Sequence, residues 1–267
     1  MVQDEYAAYY NDPKVVRFYK DHGRLGPVEA ALLARVKEEV QGQPILDIGI
    51  GGGRTTPYLL QISQAYTGID FSESMIRAVR EKFPGVDLLT CDARDLSRFR
   101  NGQFAAVFFF GVGIDDMTGA DRLLVLKEIH RVLRRHGTFI LASHNLDAPN
   151  RVSGVVNGLR LSGNPLIFIA DSFLRVRSWI SHCRGKLWNI VHNKGNAVCM
   201  DYDDCFAEQA KIGVILKTYY MRRSAQIRQL IENGFLEVEA LDRNGNIIND
   251  DKVAKDLYLH YIARKQG

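Results

Sequence analysis

One stretch limits what this chain can fold into: Pro44-Ile45-Leu46-Asp47-Ile48-Gly49-Ile50-Gly51-Gly52-Gly53-Arg54-Thr55-Thr56. The apolar run Ile45 to Ile48 reads as a buried parallel strand. It enters a glycine cluster, after which Thr55 and Thr56 open an amphipathic helix. Strand, glycine turn and helix is the arrangement in which backbone N–H groups and a helix N-terminus meet a ligand at close range. A Cβ in such a turn collides with the ligand or forbids the required φ. The stretch predicts a nucleotide-type pocket at the end of the first strand.

Spacing narrows the ligand. In the dinucleotide fingerprint G-x-G-x-x-G, the last glycine packs helix on strand. Counted from Gly49 or from Gly51, that position holds Arg54 or Thr56. A phosphate-binding loop of the Walker type also fails, because no Lys-Ser or Lys-Thr follows the glycines. Further on, Ala65 to Asp70 reads as a second strand ending in an acid, about 20 residues past the loop, the distance at which a carboxylate accepts ribose hydroxyls. The pattern Asp47-x-Gly49-x-Gly51-x-Gly53 resembles the first motif of the class I S-adenosylmethionine-dependent methyltransferases, and Phe71-Ser72-Glu73-Ser74-Met75-Ile76 resembles their second. Ser72 is suited to cap the helix carrying Met75 and Val79.

The resemblance implies S-adenosylmethionine as methyl donor and S-adenosylhomocysteine as product. It also implies an acid after the third strand (Val86 to Thr90) that reaches the adenine amino group, with a neighbouring backbone N–H on the ring. Asp92 and Ala93 fit those roles, and Asp95 competes with Asp92. The fourth strand, Phe104 to Phe110, is apolar throughout and opens at Gly111. The expected cofactor contacts are therefore Asp47, Gly49, Gly51, Gly53, Thr55, Asp70, Phe71, Met75, Asp92, Ala93, Phe110 and Gly111. After strand four the family's adenine- and glutamine-type enzymes carry D/N-P-P-Y/F, whereas this chain has Gly111-Val112-Gly113-Ile114-Asp115-Asp116. That departure leaves hydroxyl, carbon or unconjugated amine acceptors. Asp115 and Asp116 either stand at the mouth of the site or cap the next helix.

That helix shows Leu123, Leu124, Leu126, Ile129 and Val132 at helical spacing and is expected to end at Arg134-Arg135-His136-Gly137, with the glycine as C-cap. Strand five then runs from Thr138 to Ala142 and releases His144 beside the donor. Histidine takes protons near neutral pH, so His144 is the candidate base; the alternative is a satisfied structural histidine. From Ala148 to about Leu216 the chain is too long for a plain connection and reads as a structured insertion. It includes a helical pattern over Pro165 to Ile180. Between Arg175 and Lys194 it holds five Lys or Arg and two His with no acid, either a solvated face, an attractor of acidic substrate, or a nucleic-acid patch in which only Trp179 and Trp188 offer stacking. Thr218-Tyr219-Tyr220-Met221, a helix with Ile227 and Leu230, and an antiparallel pair (Phe235 to Leu241, Leu257 to Arg264) close the core.

Residues 1–40 read as two helices, the first interrupted at Asn11-Asp12-Pro13. Its tyrosines either cover the core or form a lid over a small-molecule site; in the latter case Tyr9, Tyr10, Tyr19, Asp115 and Tyr220 are the substrate-binding candidates. Net charge is only +4, and the four cysteines form no C-x-x-C pair, so no disulfide framework or zinc site is expected. The acidic N-terminus is unlike a signal peptide, and the longest apolar run, Ala105 to Ile114, is far short of the roughly 20 residues that span a bilayer. A cytoplasmic α/β protein is expected: a doubly wound, seven-stranded, mostly parallel sheet with an antiparallel last strand. One domain is expected, with a helical cap (1–40), a cofactor-binding core (41–147), a substrate-side insertion after strand five (148–217) and the end of the core (218–267). The expected function is methyl transfer to a small molecule. An RNA or protein methyltransferase using residues 175–194 and a non-catalytic S-adenosylmethionine-binding scaffold are the alternatives.

Overall fold

The computed structural model of the protein describes residues 2–21, 23–148, 198–201, 204–211 and 214–267. Its centre is β1 (Ile45–Ile48), buried along its whole length and paired in parallel with β2 (Tyr66–Asp70) on one side and β4 (Phe104–Phe109) on the other. Adding β3 (Asp87–Thr90), β5 (Leu133–His144), β9 (Phe235–Leu241) and β10 (Tyr258–Lys265) gives a seven-stranded sheet in the order β3-β2-β1-β4-β5-β10-β9. Strand β10 runs antiparallel to both neighbours, as expected of the last strand. The order reverses between β1 and β4, and at such a switch point the loops leaving the two strands part and leave a crevice.

Helices cover both faces. On one lie α3 (Pro27–Val40), α4 (Thr56–Ile62) and α5 (Glu73–Lys82); on the other lie α6 (Gly119–Val132) and α7 (Arg223–Glu232). Side-chain alternation splits β4 between them: Phe108 packs with Leu32, Leu59 and Val79, whereas Phe109 packs with Leu126, Ile129 and Leu230. Each such buried ring contributes about 1.5–3 kcal/mol. Local chemistry starts the helices where the sequence indicates. Ser72 Oγ accepts from the Met75 N–H at 3.1 Å, and Thr118 Oγ1 accepts from the Asp121 N–H at 3.2 Å.

The N-terminal cap holds three helices rather than two: α1 (Val2–Asn11), α2 (Pro13–Asp21) and α3. Pro13 begins a new helix because proline suits the first helical turn, and the Asp12 carboxylate accepts from the Lys14 N–H at 2.7 Å. A second correction concerns Gly137, which caps no helix. Helix α6 stops at Val132, and Arg134 to Gly137 bulge out of β5 between the pairs Phe104–Leu133 and Ala106–Thr138, with His136 at φ 58°. The insertion contributes a separate antiparallel sheet of β6 (Val198–Asp201), β7 (Asp204–Lys211) and β8 (Val214–Met221). Thr218 to Met221 therefore belong to this small sheet and not to the closing part of the core. It joins the large one where the Leu146 N–H donates to Met221 O at 2.9 Å. The helical pattern over residues 165–180 and the basic stretch 175–194 lie outside the described residues.

Candidate active site

The loops leaving β1, β2, β3 and β4 border one cavity of about 510 Å³, which Tyr6 and Tyr10 of α1 and Phe18 and Tyr19 of α2 also line. The glycine loop is shaped by two demands the dinucleotide pattern does not capture. A Cβ on Gly52 would stand 2.1 Å from Tyr19 O, so α2 rests directly on the loop. Lys82 fastens that contact, donating to Gly52 O at 3.0 Å and to Lys20 O. Gly53, at φ 76°, would put a Cβ 2.9 Å from Val79 of α5. Gly53 thus lets the loop lie directly against α5.

Two carboxylates hold the loop. Asp70 accepts from the backbone N–H groups of Gly51 and Ser72, each at 2.9 Å, and burial pushes its carboxyl up to about 6 against those two donors and the Phe71 N–H. Asp47 accepts from Thr55 Oγ1 at 2.8 Å and Tyr66 OH at 3.1 Å, and burial pushes it up to about 7. Arg54 makes a two-pronged pair with Glu29 at 2.5 and 2.6 Å, which joins the loop to α3. At the β3 end Arg94 grips Asp92 at 2.5 Å and reaches Asp121 at 3.1 Å.

Of the expected cofactor set, Asp47, Gly49, Gly51, Thr55, Asp70, Phe71, Asp92, Ala93, Phe110 and Gly111 all stand on the cavity wall. Asp92 rather than Asp95 is there; Asp95 instead accepts from the Ser97 N–H at 3.0 Å. Gly53 and Met75 are not on the wall. Met75 is fully buried under the cap with Tyr6, Tyr9 and Val15 and so carries the cap. Of the substrate candidates, Tyr10 and Tyr19 line the cavity, whereas Tyr9, Asp115 and Tyr220 do not. Tyr9 packs in the cap core, and Tyr220 packs against Leu146 and, with ring centroids 5.0 Å apart, against His144.

Asp115 and His144 form a buried cluster of their own. Arg122, fully buried, donates to Asp115 Oδ1, to Ile114 O at 3.2 Å and to Gln226 Oε1 at 2.6 Å. Asp115 also accepts from Ser143 Oγ at 2.8 Å and the His144 N–H at 2.6 Å, and His144 Nδ1 lies 2.9 Å from Asp115 Oδ2. Burial alone would raise the Asp115 carboxyl, but the Arg122 guanidinium and His144 outweigh it and hold it below the usual carboxylate range. His144 is not on the cavity wall, so the expectation of a base there is corrected: the ring braces Asp115. The wall carries Asp116 instead, whose Oδ2 accepts from Tyr10 OH at 2.5 Å. Tyr6, one of the tyrosines covered by the lid reading, also lines the cavity, as do Phe18, Arg54, Arg94 and Met117, to which sequence reasoning assigned no site role. Arg94 was within reach of inference, being two residues past Asp92. Among the described residues no group of three or more His, Cys, Asp or Glu is placed to hold a metal ion, and no helix is long and apolar enough to cross a membrane.

The groups present fit S-adenosylmethionine. The cavity has room, Asp70 and Asp92 bring carboxylates to its wall, and a Cβ on Gly111 would meet nothing within 4 Å, so the space beside that backbone is open.

Comparison with known proteins agrees. Residues 45–137 match a family described as "Methyltransferase domain". The chain is 33% identical over 100 residues to an uncharacterized methyltransferase of Synechocystis, covering 38% of this chain and 46% of that one. It is 31% identical over 117 residues to the probable tRNA methyltransferase 9B of Bos taurus, covering 43% of this chain and 24% of that one. The matches thus span less than half the length of these curated relatives. A solved structure of 1,6-didemethyltoxoflavin-N1-methyltransferase from Burkholderia thailandensis, with 1,6-didemethyltoxoflavin and S-adenosylhomocysteine bound, superposes with a TM-score of 0.56 at 16% identity, covering 100% of this chain and 88% of that one, a likeness of fold. The matched residues are the ones that build the glycine loop and carry Asp70 and Asp92, so residues 45–137 resemble a methyltransferase domain, and the fold around them is that of solved S-adenosylmethionine-dependent methyltransferases.

Proposed function

We propose that the protein transfers the methyl group of S-adenosylmethionine to an oxygen, nitrogen or carbon nucleophile of a small molecule. One observation carries the reading: cofactor-type loops and a group of aromatic and acidic side chains line the same cavity. S-adenosylmethionine, when bound, supplies a methyl group already activated on a sulfonium. What the chain's own residues then do is mainly positional. Asp70 would accept the ribose hydroxyls, Asp92 and Ala93 would take the adenine edge, and the glycine loop would offer backbone N–H groups. Tyr10, Tyr19 and Phe18 would confine the acceptor and exclude water, and the cap and insertion would supply the rest of its site. Alignment of this kind is worth about 7–11 kcal/mol in the best systems. Tyr10 stays a phenol, since burial and the Asp116 charge beside it push its pKa well above the ordinary value. Asp116 is then the group on the wall placed to receive an acceptor's proton.

RNA methylation is a second reading, favoured by the likeness to a probable tRNA methyltransferase and by the basic sequence between Arg175 and Lys194. The deciding experiment incubates the full chain with methyl-tritiated S-adenosylmethionine and a cell extract. Label in the low-molecular-mass fraction supports the proposal. Label in RNA, with salt-sensitive retention of RNA by the protein, overturns it. Binding of the donor without any label transfer would mean a scaffold.

A further inference from the structure

Four residues that line the cavity, Thr118, Asp121, Arg94 and Asp92, are joined by a run of hydrogen bonds. Asp92 is held by the residue two places on. The Arg94 backbone N–H donates to Asp92 Oδ1 at 2.9 Å, Nε donates to Oδ1 at 3.0 Å and to Oδ2 at 3.1 Å, and Nη2 donates to Oδ2 at 2.5 Å. A guanidinium fork on both oxygens fixes the plane of a carboxylate as well as its position. Arg94 is fixed in turn, because Nη1 donates to Asp121 Oδ1 at 3.1 Å. Asp121 is anchored to the start of α6, where its Oδ2 accepts from Thr118 Oγ1 at 2.8 Å and its N–H donates to the same hydroxyl. Burial alone would raise the Asp121 carboxyl, but the Thr118 hydroxyl and the Arg94 guanidinium outweigh it and hold it below the usual carboxylate range. Asp121 is therefore charged at neutral pH and keeps Arg94 in place. A partly exposed ion pair adds little to stability, so what this clamp provides is orientation.

We propose that Arg94 is a positioning residue: it holds Asp92 in one orientation as a hydrogen-bond acceptor, so that the site takes a methyl donor with a 6-amino purine and rejects its 6-oxo counterpart. The proposal rests on the reading in which Asp92 and Ala93 take the adenine edge, and it assigns a residue that acts through Asp92. An ionised carboxylate only accepts, and the adenine amino group donates. A 6-oxo purine brings a carbonyl oxygen to the same place, so acceptor meets acceptor. Mismatches of that kind separate close analogues most strongly at a site built to hydrogen-bond one of them. The separation requires that Asp92 cannot turn away from the wrong partner, and the fork of Arg94 prevents that turn. A lysine at this position would keep the charge but, as a point cation, would lose the fork.

The probes are S-adenosylhomocysteine and S-inosylhomocysteine, which carry the 6-amino and the 6-oxo purine. Both are titrated calorimetrically at pH 7 into the full chain as wild type, Arg94→Met, Arg94→Lys, Asp92→Asn and the double variant Arg94→Met with Asp92→Asn, each checked for folding by its urea transition. The wild type is expected to prefer the adenosyl compound about 100-fold. The preference should fall to about tenfold or less in Arg94→Met and also in Arg94→Lys, which decides the matter if the methionine variant does not fold. It should fall as far in Asp92→Asn, whose amide can turn its NH2 toward the 6-oxo group, and adding Arg94→Met should lower it no further. An arginine that served only the fold would weaken both ligands alike, so an unchanged preference in either folded Arg94 variant overturns the proposal. A further fall in the double variant also overturns it, because Arg94 would then meet the purine itself. Equal binding of the two compounds by the wild type overturns it while leaving the methyl-donor reading standing. A wild type that binds no S-adenosylhomocysteine refutes that reading itself.

Discussion

Replacing Arg122 with methionine removes the guanidinium that faces Asp115 while keeping most of the buried volume. Both side chains are fully buried, and Arg122 also holds Ile114 O, Gln226 and the Tyr219 ring, 4.9 Å away. Removing one partner of a buried ion pair typically costs about 3–5 kcal/mol, because the remaining charge is left in a medium that solvates it poorly. At about 2–4 °C per kcal/mol for a chain near this size, the melting temperature should fall by about 10 °C at pH 7. The pH dependence gives the sharper test. In the wild type Asp115 titrates below its ordinary value, so its contribution is present above the unfolded pKa and lost as pH falls through the folded one. Without Arg122, burial dominates and the folded pKa rises above the unfolded one. The penalty should then be full at pH 7 and shrink toward pH 4, where Asp115 protonates. Differential scanning calorimetry at both pH values measures this, and Arg122→Met with Asp115→Asn should cost less than the sum of the two alone. A loss under about 1 kcal/mol, or an equal loss at both pH values, would refute the argument.

Three other outcomes are expected. Gly52→Ala drives a Cβ into Tyr19 O and so should lift α2 from the loop; hydrogen exchange over residues 13–21 should accelerate, at a stability cost of about 1–3 kcal/mol. Asp47, pushed up to about 7, binds its proton more tightly in the folded state, so its stabilisation is full below about pH 4 and lost as pH rises through about 7. In Asp47→Asn the difference in urea midpoint between pH 5 and pH 8 should shrink, leaving the part due to Asp70, pushed up to about 6. Gly53→Ala, at φ 76° and against Val79, should lower stability by more than the usual 0.4–1 kcal/mol gain of a compatible Gly→Ala change, measurable by the same denaturation; a stabilised variant would contradict the packing role.

The parts legible in the sequence are those fixed by local chemistry. The glycine loop, Asp70, the Ser72 cap and the apolar run of β4 each combine residue type and spacing in one short window, and each lies where the sequence indicates. The start of β5 was hidden because Arg134 to Gly137 satisfy helix-ending chemistry equally well, while the bulge is fixed by pairing with β4, far away in sequence. Strand β8 was missed because its partner β7 belongs to the insertion, whose hydrophobic pattern gave no register. The confusion of Asp115 with Asp116 has a geometric cause. They sit in a 3-10 turn, Gly113–Asp116, where consecutive side chains point about 120° apart, so one faces Arg122 and the other the cavity. His144 follows from the same choice, since the aspartate it meets is the inward one.

The central claim, that this cavity holds S-adenosylmethionine through Asp70 and the glycine loop, is tested most directly by calorimetric titration of S-adenosylhomocysteine into the wild type and Asp70→Ala. The thioether removes any contribution from sulfonium charge. A single site is expected in the wild type, and loss of hydrogen bonds to a charged group, worth about 1.5–3 kcal/mol, should weaken it about 10- to 150-fold in the variant. No binding by the wild type, or equal binding by a folded Asp70→Ala protein, would contradict the account.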